Sequence, residues 1–355
     1  MSVRPSRDGL LADRARAAGL LGTVVLLGTV VFLLSPLVVT IPGNVRVFVD
    51  VGIIFTLYGL VMLGLNLQYG YAGLINFGPV AFFLIGGYAT AITIAEDPSV
   101  GTGLGLAWPV GIVAGVVVAG LLGVLVGAAT LKIREDFLAI TTLAAAEVLL
   151  DVFINVRELA GGTDGMVGFP RPIYDVAGNS DTGLVGSAAV FGALLVLVAA
   201  LFHRLTSASY GLVLRGIRGD ELVTKTLGKH TFRYKMEVFI YGSMIAGLAG
   251  SLLVLHNGGI TPGFFTVQVT IILWIGMLVG GPGKHWATLA GLAIIVCLRL
   301  LTRFGQGTLP DLLPGLTPAR YGSLRLFVIG LILVLIIRYR PHGIWGNEEE
   351  VSLEQ

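Results

Sequence analysis

The 355-residue chain is too apolar and too weakly charged to be a soluble protein. Apolar residues make up 55% of it and charged residues 12%, with a mean hydropathy of +0.89, whereas a soluble domain carries about 25% charged residues. The formal net charge of +2 gives no indication of a nucleic-acid partner, and the single cysteine, Cys297, excludes an internal disulfide.

Apolar stretches long enough for membrane helices recur along the whole chain. A helix needs about 20 apolar residues to cross the hydrocarbon core of a bilayer. The predicted fold is therefore all-α, a polytopic membrane protein with about ten transmembrane helices, while nine or eleven remain open. The predicted spans are 17–40, 47–68, 72–95, 107–131, 137–156, 183–203, 234–256, 264–282, 286–302 and 321–339.

The distribution of basic residues predicts the orientation of these spans, because cytoplasmic loops are rich in Lys and Arg. Ten spans with both termini in the cytoplasm place most of the 23 basic residues on that side, although Arg303, Arg320 and Arg325 lie on the other. We expect a disordered C-terminal tail. The predicted domains are a cytoplasmic N-terminal tail (1–16), a transmembrane domain (17–340) with a cytoplasmic loop (204–235), and a cytoplasmic tail (341–355).

A glycine-rich segment, 66–79, interrupts the apolar pattern between the second and third spans. It reads NLQYGYAGLINFGP and combines polar side chains with glycines and a proline at membrane depth. Non-helical backbone is tolerated there only where protein buries it or where it lines a wet cavity. Two interpretations of this broken helix remain open: a wall of a transport path, or a tight re-entrant turn packed by its glycines.

Glu147 lies near the middle of the predicted span 137–156, after Thr141 and Thr142. An ionised carboxylate at the centre of a bilayer costs about 2.5–3.5 kcal/mol on insertion scales. We therefore expect Glu147 to face the interior of the helix bundle or to be protonated. A hydrogen bond that locks two helices is favoured over a polar patch on a substrate route.

The segment 205–235 is the long charged stretch between the first and last apolar segments, and its excess of basic residues is typical of a cytoplasmic loop. Asp220 is predicted to cap a short helix, and Gly228 to end it. A short amphipathic helix in such a loop indicates docking onto a soluble partner. The residues predicted to share one face of this helix are Leu222, Val223, Thr226 and Leu227.

Other glycine and histidine motifs give no cofactor, metal or catalytic site. The segment 161–165, GGTDG, is more typical of an ordinary turn than of an anion cradle. The segment 280–284, GGPGK, fails as a phosphate loop because Leu278 and His285 replace a required glycine and a required Ser or Thr. The five histidines lack metal-binding spacing. We expect no enzyme, no catalytic residue and no cofactor bound by this chain.

Over roughly residues 59–346 the chain resembles the permeases of the branched-chain amino-acid ABC importer family. The most characteristic stretch is LNLQYGYAGLINFGPVAFFLIGGY (65–88). The others follow in the order expected for the family. They are FLAITTLAAAE (137–147), GGTDGMVGFP (161–170), GLVLRGIRGDELVTKTLGKHTFRYK (211–235), PGFFTVQVTIILWIGMLVGGPGKHWATLAG and RPHGIWG.

The resemblance implies a type II-like ABC importer permease in the plasma or inner membrane. It implies as partners a second homologous permease, two cytoplasmic ABC ATPases that carry ATP and Mg²⁺, and an external solute-binding protein. The residues that it assigns to coupling with an ATPase are Arg215, Arg218, Asp220, Glu221, Leu222, Val223, Leu227 and Gly228. The residues expected along the translocation pathway are Asn66, Tyr71, Gly73, Asn76, Phe77, Thr141, Thr142 and Glu147.

The expected function is import of branched-chain or other amino acids, with urea or a short amide as the rival substrate within the family. An alternative of another class is an ion-coupled secondary carrier that uses Glu147, and a third is a passive channel. Neither alternative would give the cytoplasmic loop a role.

Overall fold

The computed structural model describes residues 43–96, 103–131 and 135–312, together with 327, 330, 331, 334, 338, 339 and 343–345 near the C-terminus. This part of the chain is mostly helical, and the two short strands within it pair with one another in antiparallel fashion.

Helices of very different lengths alternate with short turns. We number them α1 (Gly43–Leu65), α2 (Pro79–Ile94), α3 (Trp108–Thr130), α4 (Glu135–Asn155), α5 (Arg157–Ala160), α6 (Pro172–Ala177), α7 (Ser180–Ser207), α8 (Ser209–Gly219), α9 (Glu221–Thr226), α10 (Thr231–Asn257), α11 (Val267–Gly280) and α12 (His285–Leu312). The smaller elements are a π-helix (Asn66–Tyr71), 3₁₀ turns (Gly162–Asp164 and Pro262–Phe264), β1 (Met166–Val167) and β2 (Gly259–Ile260).

Six of the described helices are long and apolar enough to cross a membrane, by length and composition. They are α1 with its π-helical extension, α3, α4, α7, α10, and α11 with the preceding 3₁₀ turn. The apolar parts of α2 and α12 are shorter. The predicted span 17–40 and most of 321–339 lie outside the described residues, so the count of ten stays a prediction.

The long helices run in alternating directions between two ends of the bundle. The loop end carries the connecting loop, residues 208–230 between α7 and α10, with α8 and α9 in it. The hairpin end carries β1, β2 and α6, and there the Arg46 guanidinium pairs with the Asp181 carboxylate and joins the starts of α1 and α7. The helices that bound the connecting loop extend into the predicted range 204–235 at both of its ends.

Helix α10 is the most deeply buried of the six and packs against α1, α2 and α3. Glycines allow the close approach: a Cβ on Gly64 would lie 2.8 Å from the Gly242 carbonyl oxygen, and one on Gly86 would lie 2.3 Å from the Gly247 Cα. Small residues at helix contacts are a device of membrane proteins, where the lipid tails give no hydrophobic drive for association.

The predicted span 72–95 is wrong at its start, because helix α2 begins only at Pro79. Proline is favoured in the first turn of a helix since its missing N–H has no partner there in any case. The π-helix Asn66–Tyr71 and the residues up to 78, which we call the broken segment (66–78), separate α1 from α2. With 16 residues, α2 is about 24 Å long, less than the bilayer core of about 30 Å.

Part of the C-terminal tail packs onto the bundle, which corrects the expectation of disorder for these residues. The backbone N–H groups of Ile344 and Trp345 donate to the carbonyl oxygens of Val279 and Gly280 at 2.8 and 3.1 Å. These bonds satisfy carbonyls that the end of α11 leaves without helical partners.

Candidate functional site

Helix α9 begins and ends at the residues that the sequence predicts. The Asp220 carboxylate accepts a hydrogen bond from the Val223 N–H at 3.0 Å, which is the N-cap interaction. Gly228 has φ +77°, and its N–H donates to the Lys225 carbonyl oxygen at 2.9 Å. The helix is thus a fixed element of the connecting loop although it has only six residues.

The apolar side chains of α9 point away from the protein. Leu222 is 73% exposed, Val223 55% and Leu227 73%. Thr226 is exposed with them, whereas Thr224 is buried against the rest of the chain. The shared face predicted from the sequence therefore exists, and it is turned outward.

Glu221 fastens α9 to the start of α10. Its carboxylate accepts hydrogen bonds from the Lys235 ammonium at 2.5 Å and the Thr231 hydroxyl at 2.7 Å, and it pairs with Lys225 at 3.0 Å. Burial alone would raise the pKa of Glu221, but the bonds from Lys235, Thr231 and Lys225 outweigh it and lower the pKa to about 2. Lys235 is only 7% exposed, so this pair is much better shielded from water than a surface salt bridge.

Helix α8 lies directly before α9 and contacts the broken segment. Its Leu214 and Ile217 are buried, while Arg215 is exposed. The Arg218 guanidinium donates to the Gly70 carbonyl oxygen at 2.6 Å. The predicted coupling residues therefore fall into two groups, those that face outward and those that hold the loop to the bundle.

The polar side chains of the broken segment form a buried network within the chain. Asn66, Gln68 and Asn76 are at most 2% exposed. The Asn76 amide donates to the Gln68 side-chain oxygen at 2.8 Å, and its own oxygen accepts from the Gly78 N–H at 2.7 Å. The Gln68 amide donates to the Phe239 carbonyl oxygen on α10 at 3.1 Å.

Asn66 connects the broken segment to the turn between α11 and α12. Its side-chain oxygen accepts from the Gly283 N–H at 2.9 Å, and its nitrogen lies 3.1 Å from His285 Nδ1. The other ring nitrogen of His285 lies 3.3 Å from the Thr206 hydroxyl at the end of α7. The glycine-rich turn at 280–284 thus packs directly against the broken segment.

Aromatic rings surround the broken segment. Phe77 stacks on Trp274 with ring centroids 4.6 Å apart, and the Trp274 indole N–H donates to the Asn76 carbonyl oxygen at 3.0 Å. Tyr71 stacks on His285 with centroids 5.1 Å apart. The Phe77 N–H donates to the Thr142 hydroxyl at 3.0 Å. These contacts favour the packed re-entrant turn as the interpretation of most of the segment.

The residues expected along the pathway fall into separate environments. Asn66, Tyr71, Asn76 and Thr142 are buried among the chain's own helices. Gly73, with φ +73°, and Phe77 are half-buried.

Glu147 and Asp151 are exposed on the side of α4 that faces away from Thr142, whereas Thr141 is half-buried and lies about 100° around the helix from Thr142. Glu147 is exposed within this chain and does not face the interior of its bundle. The outward face of α4 therefore presents carboxylates along a helix that has the least buried apolar window of the six.

The remaining glycine motifs form turns. Gly161, with φ +77°, ends α5, and its N–H donates to the Arg157 carbonyl oxygen at 2.9 Å. Lys284 donates to the Trp345 carbonyl oxygen at 3.1 Å, so its ammonium binds the tail.

Sequence reasoning missed the partners that lie far away along the chain. Lys235 as the partner of Glu221, and His285 as the partner of Asn66 across 219 positions, carry no local signal. The family resemblance places Arg218 among the coupling residues, but nothing in the sequence indicates its contact with Gly70.

Known proteins similar to this chain are transport permeases. A family model described as the permease component of branched-chain amino acid transport systems matches residues 47–337. The chain is 29% identical over 324 residues to a probable branched-chain amino acid transport permease protein LivM of Methanocaldococcus jannaschii. The aligned region covers 82% of this chain and 90% of that protein.

Two permease proteins of Escherichia coli are also similar. The chain is 27% identical to the high-affinity branched-chain amino acid transport system permease protein LivM over 83% of its own length and 69% of that protein. It is 23% identical to LivH of the same bacterium, over 82% and 92% of the two chains. No solved structure matches.

The apolar helices and these similarities agree on a multi-pass membrane protein of a transport family that is not a family of enzymes. The family model spans well over half of the sequence. The chain therefore belongs to the permease component family of branched-chain amino acid transport systems.

Proposed function

We propose that this chain is one of two permease subunits of an ATP-driven importer for branched-chain or other amino acids. Cytoplasmic ATPases carry ATP and Mg²⁺ and dock on α9, a second homologous permease packs beside the chain, and an external solute-binding protein delivers the substrate at the hairpin end. The loop end and both termini are then cytoplasmic. Similarity to LivM and LivH supports the substrate class and the paired arrangement.

The outward face of α9 is the observation that carries this proposal. The apolar side chains of a short helix in a charged loop stay in contact with water unless a partner covers them. The Asp220 cap and the bond between Glu221 and Lys235 hold that face in a fixed orientation. An ordered apolar face of this kind suits a groove on a soluble subunit, and a passive channel or secondary carrier has no use for it.

Charge on this face tests the docking directly. We expect Leu222→Asp combined with Leu227→Asp to reduce co-purification of the ATPases at least tenfold and to abolish ATP-driven uptake in proteoliposomes. Because both side chains are exposed, the thermal stability of the chain in detergent should change little. The matched control for ATPase co-purification and thermal stability is Val176→Asp, which changes an apolar residue that is 90% exposed at the hairpin end, away from α9. Undiminished co-purification and uptake in the double variant would refute docking through α9.

The exposed carboxylates of α4 support a place for this helix at the junction with the second permease. Ionised side chains facing lipid at mid-membrane cost about 2.5–3.5 kcal/mol each. A partner permease that encloses a wet path against Glu147 and Asp151 would remove that cost. We therefore place the pathway along the outward face of α4 and beside the half-buried Phe77.

A conservative change at Glu147 tests this placement. Glu147→Gln should lower the rate of substrate uptake severalfold in an assembled transporter, and Glu158→Gln, which alters an exposed carboxylate on α5, should not. Equal uptake in both variants would place Glu147 off the pathway.

Direct uptake measurements separate the rival functions. Uptake of radiolabelled leucine and of urea by the assembled transporter distinguishes the two substrate classes. An ion-coupled carrier built on Glu147 would drive uphill uptake from an ion gradient with the purified chain alone. The exposed position of Glu147 on a single helix disfavours that alternative, since the described residues of this chain do not enclose it.

A further inference from the structure

We propose that Arg218 is the positioning residue through which movement of the connecting loop changes the conformation of the broken segment. The proposal rests on the proposed function, in which an ATPase moves α9. It deepens that function by identifying how the movement reaches the membrane-embedded part of the same chain.

Arg218 lies where the connecting loop meets the broken segment. It precedes Asp220, the cap of α9, by two positions, so α8 and α9 are joined without a flexible linker. Its guanidinium donates at 2.6 Å to the carbonyl oxygen of Gly70, 148 positions away along the chain. A charged donor gives a stronger hydrogen bond than a neutral one, so a displacement of α8 pulls on the backbone of the broken segment.

Three glycines border the Arg218 side chain. A Cβ on Gly73 would lie 3.4 Å from the Arg218 Cγ, and one on Gly283 would lie 3.3 Å from its Nη1. Gly70 supplies the accepting carbonyl between them. Arg218 therefore binds the broken segment after α1 and lies beside the glycine-rich turn between α11 and α12.

The segment held by Arg218 is a π-helix, a form that is rare and is frequently found at functional sites. Carbonyl groups near the end of a helix lack helical partners, and Arg218 occupies one of them at Gly70. If α8 moves, the arginine either drags this carbonyl or releases it. Residues beyond it, including Phe77 at the edge of the proposed pathway, would then change position with the start of α2.

Hydrogen–deuterium exchange measured by mass spectrometry on the assembled transporter tests this link. In the unmodified chain, the amides of residues 66–78 should exchange at different rates in the nucleotide-free and vanadate-trapped states. In Arg218→Gln that difference should fall at least about fivefold, and the substrate imported per ATP hydrolysed should fall by about five- to tenfold, the scale of coupling between sites. The ATPases should still co-purify, because α9 keeps its outward face.

Two further variants complete the test. Arg218→Lys, which keeps a charged donor, should restore part of both effects. Arg233→Gln, which changes an exposed arginine at the start of α10 outside the coupling residues, should match the unmodified chain. If Arg218→Gln fails to assemble, Arg218→Lys decides: reduced coupling in an intact complex supports the link, and unreduced coupling overturns it.

The outcome that overturns this inference differs from the one that overturns the proposed function. Unchanged exchange at 66–78 across the ATP cycle, or full coupling in Arg218→Gln, removes the role of Arg218 while transport continues. Absence of ATP-driven uptake in the unmodified transporter removes the proposed function itself.

Discussion

The broken segment and the connecting loop depart from the usual placement of side chains in opposite ways, since one buries polar side chains and the other exposes apolar ones. In the broken segment, polar side chains lie inside an apolar bundle, yet Asn66, Gln68 and Asn76 all find hydrogen-bond partners in the same chain. In the connecting loop, apolar Leu222 and Leu227 lie on the outside, and this chain leaves them exposed. The polar side chains of the broken segment are thus satisfied within the chain, whereas the described residues leave the apolar face of the connecting loop uncovered.

This contrast shows which unusual residues indicate function. A buried polar group that is fully hydrogen-bonded stabilises a particular packing and needs no ligand to explain it. The packing of the described residues does not explain an ordered apolar face that remains exposed. Changes in the broken segment should therefore act mainly on folding, and changes in the connecting loop mainly on coupling to a partner.

The largest effect is expected from Gly70→Ala in the broken segment. The added Cβ would lie 2.2 Å from the Asn66 side-chain oxygen and 2.5 Å from the Gly283 nitrogen, too close for either to remain in place. Overpacking of this kind costs about 1–3 kcal/mol or more. We expect a strong loss of folded protein, measured as yield and thermal stability in detergent.

Gly52→Ala on α1 is the matched control, because an added Cβ there meets no atom within 4 Å. In a helix this change should be neutral or slightly stabilising. Similar losses in the two variants would show that the broken segment is not the tightly packed region described above.

A smaller effect on folding but a clear effect on coupling is expected from Glu221→Gln. The change removes the negative charge that holds the buried Lys235, so α9 loses its attachment to α10. We expect faster proteolysis of the connecting loop and a severalfold fall in substrate imported per ATP. In Glu237→Gln, which removes the ion pair with the largely exposed Arg233 and leaves the pair of Glu221 with Lys235 intact, both should stay near the unmodified values.

The lowered pKa of Glu221 sets the pH range of this attachment. Because the pKa falls from an ordinary 4.5 to about 2 in the folded chain, the stabilisation is fully present above about pH 4.5 and is lost as the pH falls towards 2. Proteolysis of the loop should therefore be independent of this group between about pH 5 and 8. A transition of the unmodified loop within that range that disappears in Glu221→Gln would contradict the assignment.

The smallest effect is expected from Thr142→Val. The Thr142 hydroxyl is buried and accepts a hydrogen bond from the Phe77 N–H at 3.0 Å, which valine cannot replace. Loss of a buried partner costs about 1–3 kcal/mol, which should lower the unfolding temperature in detergent by a few degrees. Thr141→Val, on the half-exposed side of α4, should cause less than half of that shift.

Local patterns predicted much of the architecture. The apolar runs in the sequence predicted the first and last residues of α3, α4, α7 and α10 to within a few positions. The Asp220 cap and the Gly228 stop follow from side-chain and backbone rules that act within a single helical turn. The outward apolar face of α9 follows from the same helical spacing.

Contacts between distant parts of the chain could not be predicted in this way. Hydropathy treats 72–95 as one span, because glycine, alanine and leucine after Tyr71 are apolar whether or not they are helical. Whether Glu147 faces inward depends on which side of α4 packs on α2, and a single carboxylate in an apolar run does not specify that side. The contact between Arg218 and Gly70 arises from the tertiary fold alone.

The central claim is that α9 is a cytoplasmic docking element. Its most direct test measures on which side of the membrane α9 lies and whether the ATPases cover it. Leu222→Cys in a Cys297→Ser background places a single thiol on the exposed face of α9. A membrane-impermeant maleimide should label it in inside-out vesicles but not in right-side-out vesicles, and assembly with the ATPases should protect it. Labelling in right-side-out vesicles, or labelling that the ATPases leave unchanged, would contradict the account.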